Sequence, residues 1–286
     1  MSLPERATHE SHSVVLTNVR NPDTSLVLEG PFSVLVHAAP HWFGLRGDVG
    51  LTVSEMRVRV GGRSVPEALS AGELALAPLS MRLPERDTAA TYLSWAAVLA
   101  GTPSAASREL AARFGISAFF DKPLRSVPPH VRRAVCIASA FLSGANTLVI
   151  EDPLDGLPAD VAEEFTRVLV SALSGRRVVW LAPRLSLATA LSTSCTEAIW
   201  FHGPHCIRRG KPAAESDGAD QSLLSVRGQG EAFTERLSAD GVEISPVSSD
   251  SQTSTWLIRT RETWRIFAAA SDVGATVTEL RPLLSP

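Results

Sequence analysis

The stretch Asn146-Thr-Leu-Val-Ile-Glu-Asp-Pro-Leu-Asp-Gly-Leu157 decides the class of fold. It opens with a continuous apolar and β-branched run, Thr147 to Ile150, of the length typical of a buried strand. Apolar residues then recur at four-residue spacing, which predicts one face of a helix: Val161, Phe165, Leu169 and Leu173. A second apolar run, Val178 to Leu181, predicts another strand. This β-α-β order predicts an α/β fold whose parallel sheet is covered on both faces.

Length and charge exclude several classes of protein. With 286 residues and 44% hydrophobic content, the chain can bury one large core and a smaller second one. Its 27 Lys and Arg against 30 Asp and Glu give a net charge of −3, so no binding of nucleic acid is expected. The longest apolar runs, Ala134 to Leu142 and Ala89 to Ala100, are shorter than the roughly 20 residues that span a bilayer. The polar amino terminus lacks a secretory signal, and cytoplasmic residence is expected.

The three cysteines predict neither a disulfide framework nor a zinc site. Cys136, Cys195 and Cys206 are too few and too scattered for either, and reduced thiols are expected. His202, His205 and Cys206 could supply three metal ligands, but they flank a Gly-Pro turn at which two strands should reverse direction. Because structural zinc generally takes four ligands, a simple hairpin is favoured and no metal site is expected.

The remainder of the body changes from strands to helices along the chain. Short β runs separated by turn clusters predict strands at 14–16, 25–28, 33–36 and 57–60, and a further strand is predicted at 73–77. Apolar residues at three- and four-residue spacing, bounded by Pro or Gly, then predict helices at 88–100, 105–114 and 131–142.

A stretch rich in Gly, Ser and Asp, residues 215–222, predicts a linker between two domains. We expect a body at 1–214, with a helical subdomain at about 84–142, and a small tail domain at 223–286. The tail predicts the order β-α-β-β-α-β, with strands at 223–226, 242–247, 255–258 and 276–280 and helices at 231–239 and 263–271. This order is that of a ferredoxin-like α+β domain.

Taken in order, these landmarks resemble an ATP-binding cassette (ABC) ATPase over residues 13–214. Asp87-Thr-Ala-Ala-Thr-Tyr-Leu93 matches the start of the family's helical subdomain, 131–142 matches its signature helix, and Leu154-Asp-Gly-Leu157 matches the turn after its acidic strand. The tail resembles the small carboxy-terminal domain of export-type transporter ATPases. The resemblance implies a P-loop NTPase-like body with a helical subdomain, followed by a ferredoxin-like domain.

The segment His37 to Leu45 stands where the family's phosphate loop belongs and lacks its chemistry. Such a loop needs glycines whose N–H groups converge, a Lys for the outer phosphates and a hydroxyl for Mg²⁺. In the alignment Pro40 replaces a loop glycine, Phe43 stands for the Lys and Gly44 stands for the hydroxyl residue. ATP and Mg²⁺ are therefore not expected as cofactors. An atypical loop in which His37 or His41 replaces the Lys stays open, although it needs a histidine with a raised pKa.

The family's Leu-Ser-Gly-Gly-Gln signature, which reaches the partner subunit's nucleotide, is replaced by Ser126-Val-Pro-Pro-His130. Val127 has no hydroxyl, and neither Pro128 nor Pro129 has an N–H to donate. The signature donors are therefore absent from the expected position. The neighbouring Arg132 and Arg133 are interpreted as a solvated helix face.

The acidic strand also departs from the family, since Glu151-Asp152 inverts the usual Asp-Glu pair. Glu151 takes the place of the Mg²⁺-side Asp, Asp152 that of the water-activating Glu, and Pro183 that of the switch histidine. The inversion shifts both carboxylates by about one methylene, and positional errors of about 1 Å can cost roughly 100-fold in rate. The simplest interpretation of Glu151 and Asp152 is a pair of solvated carboxylates that cap the next turn. No catalytic residue is expected, and the chain is predicted not to be an enzyme.

The resemblance then implies a non-catalytic cassette subunit of an ABC transporter. We expect it to dock on an integral membrane permease, at the inner face of the membrane, through a groove between the body and the helical subdomain. It would pair with an intact ABC ATPase or with a second copy of itself, in an assembly or regulatory role. Two alternatives are an ATPase with an atypical phosphate loop and a cytoplasmic scaffold derived from an ABC ATPase. Trp42, Trp256 and Trp264 are candidate contacts of such a scaffold, whereas Trp180 and Trp200 are predicted to lie in the core.

Overall fold

The chain forms sixteen strands and eight α-helices in the part that the computed structural model describes, which is residues 13–18, 25–36, 43–46, 50–53, 56–79, 81–173, 175–185, 189–202, 205–212, 221–250 and 252–283. The strands are β1 (Val14–Asn18), β2 (Ser25–Leu28), β3 (Phe32–Val36), β4 (Phe43–Arg46), β5 (Gly50–Val53), β6 (Met56–Val60), β7 (Arg63–Ser64), β8 (Leu74–Ala77), β9 (Thr147–Glu151), β10 (Arg177–Ala182), β11 (Glu197–His202), β12 (His205–Gly210), β13 (Gln221–Arg227), β14 (Glu243–Ser249), β15 (Thr253–Arg259) and β16 (Thr276–Pro282). The helices are α1 (Val65–Ser70), α2 (Ala89–Leu99), α3 (Ala106–Arg113), α4 (Pro129–Leu142), α5 (Ala159–Ala172), α6 (Ala190–Ser194), α7 (Gly230–Ala239) and α8 (Thr263–Val273).

The central sheet has the order β8-β9-β10-β3-β11-β12. Its first five strands are parallel, and β12 returns antiparallel to β11. Trp180 in the middle strand lies between Ile150 of β9 and Val34 of β3. The predicted β9-α5-β10 crossover and parallel sheet are confirmed, and the continuous apolar runs are explained because both faces of these strands are buried.

Alternate residues of the central strands belong to two different hydrophobic cores. Leu35, Val149 and Leu181 pack with side chains of α1 and of an antiparallel sheet in the order β2-β1-β6-β5-β4, with β7 paired to β6. On the opposite face, the residues between them pack against α4 and α5. The body is therefore layered, with the antiparallel sheet on one side of the central sheet and helices on the other.

The helices α2, α3 and α4 begin and end within two residues of their predicted positions. The hydroxyl of Thr88 accepts a hydrogen bond from the Thr91 N–H at 3.1 Å, which fixes the start of α2. Leu93 and Ala97 of α2 are buried in the same core as Val135 of α4. Among the described helices, none combines the length and the apolar character that crossing a bilayer requires.

The tail forms the predicted β-α-β-β-α-β unit. Its sheet is antiparallel throughout, in the order β14-β15-β13-β16, and α7 and α8 cover one face through Phe233 and Ile266. The predicted linker at 215–222 is two residues too long, because β13 begins at Gln221; residues 213–220 lie outside the described part.

The other face of the tail sheet packs against the body. Trp200 of β11 donates a hydrogen bond from Nε1 to the Leu283 carbonyl at 2.9 Å, and Leu223 of β13 belongs to the core of the body. Trp180 and Trp200 are buried as predicted. Trp256 is buried as well, which corrects its place among the candidate contacts of a scaffold, while the Trp264 side chain is exposed. Trp42 lies outside the described residues.

Candidate functional site

The acidic strand holds the chain segment that follows the edge strand of the central sheet. Ala77, the last residue of β8, pairs with Ile150 of β9, so the chain leaving β8 passes beside Glu151. The Oε2 of Glu151 accepts a hydrogen bond from the Leu79 N–H at 2.9 Å. The interpretation of Glu151 as a cap of the next turn is therefore wrong. It caps a loop that is distant in sequence instead.

Asp152 lies in a less solvated place than its strand-end position predicts. Its backbone has φ = +27°, and its N–H donates to the Leu181 carbonyl at 2.8 Å. Burial raises the pKa of this carboxyl to about 6, and the charge of Asp155 raises it further, against lowering effects from Arg133 and from a hydrogen bond with the Leu154 N–H. The prediction that Asp152 is a solvated carboxylate is wrong.

Arg133 ties the first turns of α4 to the acidic strand end. Its Nη1 donates to the Asp152 carbonyl at 3.2 Å, and its Nη2 lies 3.7 Å from the Asp155 carboxylate. The Arg133 side chain is half-buried, which corrects its interpretation as part of a solvated helix face. The neighbouring Arg132 is exposed, as that interpretation requires.

These contacts border a groove between the central sheet and the start of α4, called here the α4 groove. Its cavity volume is about 590 Å³. One wall is the segment after β8, the other is the start of α4, and the floor is apolar; the lining includes Leu79, Met81, Arg82, Leu83, Glu85, Pro129, Arg132, Arg133, Cys136, Ile137, Ile150 and Glu151. Burial raises the pKa of the Cys136 thiol to about 11, so this thiol is protonated and unreactive near neutral pH.

Solved structures with the same architecture identify the fold. The ATP-binding subunit of an ABC transporter gives a TM-score of 0.52 at 16% sequence identity, covering 70% of this chain and 90% of that one. CbiO1 of Clostridium perfringens, part of the ABC transporter complex CbiONQ, gives 0.54 at 13%, covering 71% and 90%. The ADP conformation of MJ1267, an ATP-binding cassette of an ABC transporter, gives 0.55 at 12%, covering 72% and 94%.

The fold is that of an ATP-binding cassette. In sequence, the chain matches no protein-family model and no curated protein. At identities of 12 to 16%, the comparison shows a shared architecture only. The α4 groove and the acidic strand end thus lie on a cassette fold.

The residues predicted to replace the signature pack into the core and start a helix. The Ser126 hydroxyl donates to the Pro123 carbonyl at 2.7 Å, and the Val127 side chain is buried. Pro128 is the N-cap of α4 and offers no side-chain cap, and Pro129 is the first helical residue. The ring of the next residue, His130, lies 6.0 Å from that of Phe165 on α5. Each of the five residues therefore has a packing or helix-starting role.

Among the residues predicted to replace the phosphate loop, those that the structure describes lie in a strand. Phe43, Gly44 and Leu45 lie in β4. This strand pairs with β5 in a hairpin of the antiparallel sheet β2-β1-β6-β5-β4. His37 and Pro40, together with His41, lie outside the described residues. Pro183, which is predicted to stand for the switch histidine, is half-buried just after β10. The sequence did not predict the β4–β5 hairpin, because the resemblance directed attention to a loop there.

The two strands that carry the histidines near Cys206 form an antiparallel pair, as predicted. His202 of β11 pairs with His205 of β12, and burial lowers the pKa of His202 below its ordinary value. Across the described ranges, no three side chains of His, Cys, Asp or Glu come together as metal ligands.

Proposed function

We propose that this chain is a non-catalytic cassette subunit of an ABC transporter that docks on an integral membrane permease and serves in assembly or regulation. The observation that carries the proposal is the course of the chain after β3. Where a phosphate loop would lead into a helix, the described residues 43–46 and 50–53 form the β4–β5 hairpin. A triphosphate site of this type uses the N–H groups and dipole at the start of that helix.

The chemistry of the loop supports the same proposal. Residues 37–45 contain no Lys, and Pro40 has no N–H. Each charge-assisted hydrogen bond that is lost weakens binding by about 1.5 to 3 kcal/mol. Losing several of them turns a micromolar affinity into a millimolar or weaker one. We therefore propose that neither ATP nor Mg²⁺ is a cofactor of this chain.

The acidic strand end does not fit a bound Mg²⁺ and nucleotide. The Glu151 carboxylate, at the position of the metal-side residue, accepts the Leu79 N–H. Asp152, at the position of the base, has a pKa raised to about 6 by burial. Arg133 holds the Asp152 carbonyl and lies beside Asp155. These groups are used within the fold, and no step of hydrolysis is assigned to them.

Pairing follows from the proposal. In cassette dimers each nucleotide site combines the phosphate loop of one subunit with the signature of the other. If the partner is an intact ATPase, the site built on its phosphate loop lacks signature donors, because Val127, Pro128 and Pro129 do not supply them. In a pair of two copies of this chain, each site lacks both the phosphate loop and the signature. We propose a homodimer or heterodimer held at the inner face of the membrane through the permease.

Co-purification from membranes tests the docking. Tagged full-length chain, recovered from detergent-solubilised membranes of the source cells, is expected to bring a polytopic membrane protein with it. The variant Met81→Glu, which places a charge in the α4 groove, should lose that protein. Leu69→Glu is the matched control, because Leu69 on α1 and Met81 are both 38% exposed and Leu69 lies in the opposite layer. Recovery of soluble partners alone would contradict the proposal and favour a scaffold.

A further inference from the structure

A polar cleft lies between the tail sheet and the β11–β12 hairpin of the body. Its cavity volume is about 530 Å³, within the range of about 300–1,000 Å³ that is typical of small-molecule sites. It is called here the hydroxyl cleft, because six described residues of its lining carry a hydroxyl: Ser225, Ser248, Ser249, Thr253, Thr255 and Thr278. We propose that the hydroxyl cleft binds a small polyhydroxylated amine, such as an amino sugar.

The floor of the hydroxyl cleft is polar although it is buried. Ser225 of β13 pairs with Thr255 of β15, and the two residues are only 5% and 4% exposed. Their hydroxyls lie 3.0 Å apart in a hydrogen bond. Leu223, two residues before Ser225 and on the same side of β13, packs instead into the core of the body. This face of the tail sheet is therefore apolar at one end and hydroxylated at the other.

A β-bulge brings two consecutive residues of β16 to the cleft. Neighbours in a regular strand point to opposite faces of the sheet, yet Thr278 and Glu279 both line the cleft. The register of β13 against β16 shifts just after Ser225, and the Thr278 hydroxyl donates to the Ser225 carbonyl at 3.0 Å. A second shift lies between Pro246 and Ser248 of β14, and Ser248 also lines the cleft. Bulges are over-represented next to active sites, where they redirect side chains.

The carboxylates of the cleft favour a cation. Asp250 and Glu279 line it, and no Lys or Arg does so among the described residues. Hydrogen bonds from the N–H groups of Gln252 and Thr253, at 2.8 and 2.7 Å, lower the pKa of Asp250, which is therefore ionised near neutral pH. Both bonds go to Oδ1, and Oδ2 of Asp250 makes no ion pair in the described ranges. Asp250 can thus accept an ammonium group while it keeps its own contacts.

His202 and Glu279 join the body and the tail at the cleft. His202 ends β11 of the body, and burial, together with the charges of Arg281 and His205, lowers its pKa against the raising effect of Glu279. Its imidazole is therefore neutral near neutral pH and offers one donor and one acceptor. Oε2 of Glu279 lies 3.4 Å from the Ser225 hydroxyl, and Oε1 lies 3.5 Å from Nε of Arg281. A ligand in the cleft would contact both domains.

Other classes of ligand match this chemistry less well. Across the described ranges, no three potential metal ligands come together. An anion would meet two carboxylates and no cation among the described lining residues, and an apolar ligand would cover the hydroxyls without pairing them. A polyhydroxylated amine pairs its hydroxyls with the Ser and Thr side chains and its ammonium with Asp250.

Titration of the isotope-labelled full-length chain with glucosamine, followed by NMR, tests the proposal. The amides of Ser225 and Thr255 are expected to shift saturably, while the Leu237 amide of α7, on the other face of the tail sheet, stays unchanged. Glucose, which lacks the ammonium group, should bind more weakly by about 10-fold or more, the effect of one charge-assisted hydrogen bond. Glucuronate, which carries a carboxylate instead, should not bind.

Asp250→Asn separates the charge of the site from its shape. The amide oxygen of asparagine still accepts the Gln252 and Thr253 N–H groups, so the loop should keep its structure and the Tm should stay the same. This variant should bind glucosamine about 10-fold more weakly and lose the preference for glucosamine over glucose. Glu235→Gln is the matched control, because it removes an exposed carboxylate of α7 in the same domain and should bind as the parent does.

Equal affinities for glucosamine and glucose, or an Asp250→Asn variant that binds as the parent does, would overturn the inference. Shifts confined to other parts of the chain, or no saturable shift at about 10 mM glucosamine, would overturn it as well. None of these results bears on the proposed function, which concerns the nucleotide motifs and the α4 groove.

Discussion

Replacing Glu151 by alanine is expected to speed hydrogen exchange at the Leu79 amide by about 10-fold or more, since a hydrogen bond to a charged acceptor contributes about 1.5 to 3 kcal/mol. The Leu79 N–H donates to Oε2 of Glu151 at 2.9 Å. Pro78, the preceding residue, has no N–H that could share the role. Exchange followed by NMR measures the effect on this amide directly.

Two controls separate the loss of this bond from a general loss of stability. Glu151→Gln keeps an acceptor oxygen and should retain part of the protection at Leu79. The Trp180 amide, within the central sheet, should exchange at the same rate in all three proteins. Mg·ATP should leave the Leu79 amide unchanged, because we propose that Glu151 is committed to the loop. An unaltered Leu79 rate in Glu151→Ala would show that the carboxylate does not hold the segment after β8.

Asp152→Asn is expected to stabilise the protein near neutral pH. The folded-state pKa of Asp152 is raised from 3.8 to about 6, so the folded state binds more protons than the unfolded state between these values. Stability is therefore highest at pH values below the unfolded pKa and falls as pH rises through the folded one. The full shift corresponds to about 3 kcal/mol, and partial solvation of the carboxyl reduces the expected gain to about 2 kcal/mol.

Urea unfolding at about pH 4 and about pH 7.5 tests this linkage. The variant and the parent should be nearly equal at the lower pH, and the variant should be more stable at the higher one. Asp155→Asn is the control. Its carboxylate is 59% exposed, and the change should alter stability by about 0.5 kcal/mol or less. A gain of the same size at both pH values would show that burial of the Asp152 charge is not its cause.

Much of the fold could be predicted from local patterns. The run Thr147 to Ile150 and the four-residue apolar spacing after it gave the β9-α5-β10 crossover, because burial on both faces demands such a run. The tail followed from its strand and helix order. The helix α1 was missed, although Ser64 and Glu67 have the spacing of a capping box and the Ser64 N–H donates to the Glu67 carboxylate at 2.8 Å.

The candidate site could be predicted only in part. Glu151 and Asp152 stood out as strand-end carboxylates, but the contact of Glu151 with Leu79 joins residues 72 positions apart. The raised pKa of Asp152 follows from burial of its carboxyl in the folded chain, together with the opposing charges of Asp155 and Arg133. Neither effect has a local sequence signal, since both arise from elements that meet only in the folded chain. The α4 groove was expected from the resemblance, while its basic rim appears only when residues 81–85 and the start of α4 are brought together.

The proposed absence of nucleotide binding is tested most directly by thermal unfolding of the full-length chain with Mg·ATP. A ligand at 100 times its Kd stabilises a protein by about 2.7 kcal/mol. For a chain of this size, that corresponds to a rise in Tm of roughly 5 °C or more. We predict a change below about 1 °C at about 1 mM Mg·ATP, since a millimolar or weaker ligand contributes only a few tenths of a kcal/mol. A saturable rise of several degrees at sub-millimolar Mg·ATP would contradict the account.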